Sequence, residues 1–158
     1  MQLESSDGHS FSLNVVGYEF PDEELMPNED NPADDFDRGR FLVVTVSVKT
    51  PDGDWNATAP EMTTTQFERL ANWLESVSSG HPSITGFYFT ERDLEFTLDD
   101  EAGVLNVHLI RDFLPPWTKL DVYTIAFPIC RTNLVQAVSS IRSQLIRSPH
   151  RPLPNQSA

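Results

Sequence analysis

Cysteine is almost absent from this chain: Cys130 is the only one in 158 residues. A lone thiol excludes an intrachain disulfide and points to a reducing compartment. No stretch of about 20 apolar residues occurs, and the Met-Gln-Leu-Glu-Ser-Ser start has neither the basic opening nor the apolar core of a signal peptide. A cytoplasmic protein is expected. Basic residues are scarce too, with 11 Lys and Arg against 24 Asp and Glu and a net charge of −13. A field of that sign repels nucleic acid and membrane headgroups and attracts basic surfaces.

Motifs that carry chemistry are also missing. There is no glycine-rich phosphate loop, nucleophile elbow or dinucleotide fingerprint. His9, His81, His108 and His150 form no i, i+4 pair and have no flanking cysteine, so neither a metal nor an organic cofactor is predicted, and no enzyme activity is expected. Cys130 has no base near it in sequence and is expected to pack as a small core residue beside Phe127 and Ile129.

The acid that dominates is unevenly spread. Residues 1–40 hold eleven acidic and two basic side chains, whereas residues 131–158 hold four arginines and no acid. Eight carboxylates, Asp22, Glu23, Glu24, Glu29, Asp30, Asp34, Asp35 and Asp37, follow one another with no cation among them. Pro27, Pro32, Asn28 and Asn31 interrupt any long helix or strand there, so the segment reads as a solvated acidic loop. Two roles fit it: a docking surface for a cationic protein, or a solubilising insertion. The run Asp34-Asp35-Phe36-Asp37-Arg38-Gly39 lacks the ligand spacing and closing Glu of an EF-hand loop.

Elsewhere, apolar periodicity organises the chain. Asp7-Gly8 between Leu3 and Phe11/Leu13/Val15 predicts a hairpin whose second strand runs to about Phe20. Leu42, Val44, Val46 and Val48 alternate with polar residues as in a half-buried strand. The turn at Pro51–Asp54 leads into a shorter, more polar strand over Trp55–Ala59. Phe67, Leu70, Ala71, Leu74 and Val77 change to helical spacing, and Thr63 with Gln66 forms a capping box, so a helix is predicted over 63–79. Period two returns from Phe87 to Phe127, with a turn at Gly103 and a loop from Asp112 to Lys119 around Pro115-Pro116. A second helix over 132–147 is predicted from the stripe Leu134, Val135, Val138, Ile141, Leu145 and Ile146. The order predicts one α+β domain over 1–148, an antiparallel sheet structure of about six to nine strands, sandwich-like or curved, with two helices, followed by a mobile tail over 149–158.

Glu91, Asp93 and Glu95 alternate with Leu94, Phe96 and Leu98, which predicts all three on a solvent face. Trp73 is read as flanking the buried stripe of its helix, and Trp55 and Trp117 as packing residues or interface anchors, Trp117 being the anchor candidate beside the Pro115-Pro116 loop.

Taken together, Phe11-Ser-Leu-Asn-Val-Val-Gly-Tyr-Glu-Phe-Pro21, Pro60-Glu-Met-Thr-Thr-Thr65, Leu70-Ala-Asn-Trp-Leu74, Gly86-Phe-Tyr-Phe-Thr-Glu91 and the late Phe127-Pro128 resemble the WapI-type immunity protein family. Arg92-Asp93 stands where that family's motif has Pro-Asn. The resemblance implies a non-enzymatic cytoplasmic protein that binds a cognate toxin domain, a basic one on the charge argument. The contact surface expected on this reading is the carboxylates of residues 22–37 with Trp117. A structural or regulatory domain, homodimeric through a strand edge, and a carboxylate-dependent hydrolase are the alternatives.

Overall fold

The computed structural model describes residues 1–20 and 40–151. Among these described residues, eight strands form two four-stranded antiparallel meanders, each in sequence order, and two helices complete an α+β fold. The first sheet holds β1 (Gln2–Glu4), β2 (Ser10–Tyr18), β3 (Phe41–Thr50) and β4 (Gly53–Thr63). The second holds β5 (Gly86–Tyr88), β6 (Leu94–Asp99), β7 (Val104–Ile110) and β8 (Val122–Pro128).

Alternation decides the inner faces. Phe11 and Leu13 of β2, with Leu42, Val44, Val46 and Val48 of β3, are buried. They share one core with Phe96, Leu105, Val107 and Ile125 from the second sheet. Phe11 meets Phe96 edge-on at 6.0 Å between ring centroids, which locks the sheets together.

Helix α1 (Thr64–Ser78) joins the sheets and begins at the predicted capping box, Thr63 accepting from the Gln66 amide and Gln66 from the Thr63 amide. Its buried stripe is Phe67, Leu70, Ala71, Trp73, Leu74 and Val77. The Trp73 indole donates to the Ile84 carbonyl at 2.9 Å, so it packs rather than projects.

Helix α2 (Arg131–Arg147) lies against α1, with Arg142 paired to Glu75 at 2.7 Å. Its buried face is Leu134, Ala137, Val138, Ile141 and Gln144, which corrects the predicted stripe: Val135 and Ile146 are exposed. Gln144 displaces an apolar residue because β1 covers only part of the edge of β2. Its amide accepts from the Val15 N–H at 2.7 Å, giving that group an acceptor beyond the end of β1, and donates at 3.2 Å to the Leu13 carbonyl, which also accepts from the Met1 ammonium. Residues 149–151 also touch the body: the Tyr18 hydroxyl donates to the Pro149 carbonyl and the Arg151 guanidinium lies 3.7 Å from the centre of the Tyr18 ring.

Strand β4 is longer than expected, eleven residues in place of the short Trp55–Ala59 segment. The strand runs on through Pro60 and Glu61 by way of a bulge. Leu42 pairs with Met62 and Val43 with Pro60, leaving Glu61 as the extra residue.

Candidate functional site

Of the residues expected to meet a partner, Asp22, Glu23, Glu24, Glu29, Asp30, Asp34, Asp35 and Asp37 lie outside the described residues. Trp117 is described, and it sits at the N-terminal end of β4. There the turn at Asp52-Gly53, the loop after the short 3-10 turn Arg111–Phe113, and the start of β8 come together. Trp55 is the buried centre, its indole donating to the Phe113 carbonyl at 3.0 Å. Trp117 and Tyr123 each meet it edge-on at 5.4 Å, and the Tyr123 hydroxyl reaches an Asp52 carboxylate oxygen at 3.2 Å.

Although so held, Trp117 remains 44% exposed, and Leu120 and Val122 nearby along the chain are 62% and 42% exposed. Gly53 lets the indole lie against the turn. Its φ of +149° disfavours other residues, and a Cβ there would stand 2.7 Å from the Trp117 ring. Sequence reasoning named Trp117 but missed Gly53, Tyr123, Leu120 and Val122. The only local signal was a Gly in a turn and an apolar residue on either side of Asp121.

The other end of β4 holds a different arrangement. Glu61, the extra residue of the bulge, continues the inward phase of Trp55, Ala57 and Ala59 and is fully buried, accepting the Leu94 N–H at 3.1 Å. Burial pushes its carboxyl up to about 8, with the Leu94 hydrogen bond opposing and nearby Asp93 adding to the rise. Its Oε2 has no hydrogen-bond partner among the described residues, as suits a neutral acid. Asp93 is buried as well and is bridged by Arg111, which also donates to the Glu91 carbonyl.

Asp93 therefore corrects the expectation of three solvent-facing carboxylates: Glu91 is exposed and Glu95 half-buried, but Asp93 precedes β6 and turns inward to the Arg111 guanidinium. The turn is formed by Arg92 at φ +59°, with Arg111 at φ +41°. A proline, whose ring holds φ near −65°, cannot take the place of Arg92 in this conformation. Glu61 was missed because the strand was ended at Ala59; it continues the inward phase of Trp55, Ala57 and Ala59, and only after it does the bulge bring Met62 to the same face.

Chemistry elsewhere is sparse. His108 lies between the hydroxyls of Thr97 and Thr124 at 2.7 and 2.8 Å, and burial lowers its pKa while Glu95 opposes the shift. His9 pairs with Asp7, and His150 contacts Thr64. Among the described residues no three of His, Cys, Asp and Glu are grouped as a metal would require. Cys130 is exposed at the cap of α2, which corrects its expected place in the core: β8 ends at Pro128 and the chain leaves the sheet before the thiol. Surface grooves of about 470 and 280 Å³ run along Ser10, Ser12, Asn14, Ser47 and Asn56, and between α1 and α2; neither includes Glu61 or Asp93. Among the described residues no helix is long and apolar enough to cross a membrane.

No curated protein and no solved structure matches this chain at a significant level. A family model does match, over residues 2–149, and it spans both sheets, both helices and both ends of β4. The chain belongs to the immunity protein WapI-like family.

Proposed function

We propose that this chain is a non-enzymatic cytoplasmic protein that neutralises a cognate basic toxin domain by binding and covering it. The observation that carries this reading is the family match over residues 2–149. Charge supports it independently: the net charge is −13, and eight carboxylates stand between residues 22 and 37 with no cation among them. An inhibitor that occludes needs no reacting group. Its speed comes from the summed field, which steers a basic partner inward and raises association toward about 10⁸–10⁹ M⁻¹s⁻¹ at low salt.

The test is association kinetics between the full chain and an inactivated form of the toxin domain encoded beside its gene, at low and physiological salt. Asp34→Asn, Asp35→Asn and Asp37→Asn together should slow association and flatten its salt dependence. Thermal stability should hardly change, as expected of a run whose composition reads as solvated. Unimpaired toxin activity at a stoichiometric excess of the native chain overturns the proposal. Equal association rates for native and triple variant at both salt concentrations assign the loop to solubility alone.

A further inference from the structure

The Trp117 cluster has the construction of a binding anchor. Large exposed side chains usually move freely, and immobilising them on binding costs roughly 0.5–1.5 kcal/mol each. Trp117 is held beforehand: it lies edge-on to buried Trp55 and rests on the bare backbone of Gly53. Tyr123, on the other side of Trp55, is tied to the same turn through Asp52. One edge of the Trp117 indole nevertheless remains open, and its N–H has no partner among the described residues. Aromatic side chains are enriched among the residues that dominate protein–protein binding energy.

The surroundings indicate what would cover it. Leu120, three residues further along the chain, is exposed as well, and the exposed carboxylates of Asp52, Asp54 and Asp121 lie on the two contributing segments. Lys49 is the cross-strand partner of Asp54, and Lys119 stands two residues before Asp121. Acid therefore exceeds base around the patch, in the same sense as the whole chain. The matching groove between α1 and α2 also exposes Val135 and Ile146, but its charges are already matched there, Arg142 with Glu75.

We infer that Trp117 is the apolar anchor on which a basic protein partner seats, its cations meeting Asp52 and Asp121 nearby. This rests on the toxin-binding reading and adds where the partner sits. The partner surface complementary to it is an apolar pocket with a hydrogen-bond acceptor for the indole N–H, bordered by lysine or arginine. Gly53 is a positioning residue, since its missing Cβ sets the pose of the ring.

The experiment uses the full chain and the inactivated toxin domain encoded beside its gene. Trp117→Ala should raise the dissociation rate about a hundredfold while association changes less than about threefold. Trp117→Phe, which keeps an aromatic surface but loses the N–H, should fall between. Asp52→Asn with Asp121→Asn should slow association, most at low salt. Ile146→Ala in the helical groove should leave both rates unchanged.

A second measurement needs no destabilising variant. With 5-fluorotryptophan incorporated, the ¹⁹F line that Trp117→Phe removes should be the one that shifts on complex formation and loses its sensitivity to solvent. A complex that forms with this line unmoved and with Trp117→Ala binding normally overturns the anchor and leaves the toxin-binding reading intact. Failure of the native chain to bind the toxin domain at all overturns both.

Discussion

The two ends of β4 tie the first sheet to the loops of the second by opposite means. At Glu61 the connection is polar and enclosed: a buried carboxyl holds the Leu94 amide, and Asp93 beside it holds Arg111. At Gly53 and Trp55 it is aromatic and open, three rings meeting edge to edge with Trp117 facing solvent. Enclosed polar groups are costly to bury, and at the first end the Leu94 amide and Arg111 are engaged inside the fold. Aromatic edges carry no such cost, and the second end can present a ring to a partner while still packing.

The comparison breaks most visibly at its two tryptophans and the buried acid. Trp55→Ala should lower folding stability by about 3–5 kcal/mol, through the cavity and the loss of both flanking ring contacts. Denaturant unfolding would measure this, and a loss below about 1 kcal/mol would mean that Trp55 does not centre the cluster.

Glu61→Gln should come next. The folded carboxyl stays protonated to about pH 8, whereas the unfolded one releases its proton near its ordinary value of 4.5. Between these values the folded state binds more protons, so the contribution of Glu61 to stability declines as pH rises through the window. A glutamine still accepts the Leu94 amide and has no proton to lose. The variant should therefore gain on the native chain from pH 5 to pH 8, by up to a few kcal/mol at the upper limit. Parallel unfolding curves at pH 5, 6.5 and 8 for both proteins would show the carboxyl to be ionised in the fold.

Asp93→Asn should cost about 1–2 kcal/mol, since it weakens a charge-assisted bond to an arginine that is itself largely exposed. The smallest change in stability should come from Trp117→Ala, under about 1 kcal/mol, although its effect on partner binding is the largest. Loss of stability as great as for Trp55 would make Trp117 a core residue and remove the contrast between the two rings.

The Thr63/Gln66 box, the stripe from Phe67 to Val77, the Asp7-Gly8 hairpin and the alternation of Leu42 to Val48 were all legible before any coordinates. Each depends on neighbours within a few residues, or on a period that local backbone geometry imposes. Val135 and Ile146 were misread on α2 because apolar character alone cannot show that Gln144 is needed at the open edge of β2. The length of β4 was missed for a related reason, since a bulge is invisible until the partner strand is known. At the candidate site, Trp117 stood out as a large apolar residue beside two prolines, while its seat on Gly53 required a contact across 64 positions of sequence.

The sequence by itself determined the elements, the antiparallel class, the acidic character and the family, because periodicity, capping, composition and motif order are carried along the chain. Tertiary structure alone decided which carboxylate is buried and which tryptophan is left open. Both outcomes depend on which loop reaches each end of β4, and that is settled by packing between segments distant in sequence.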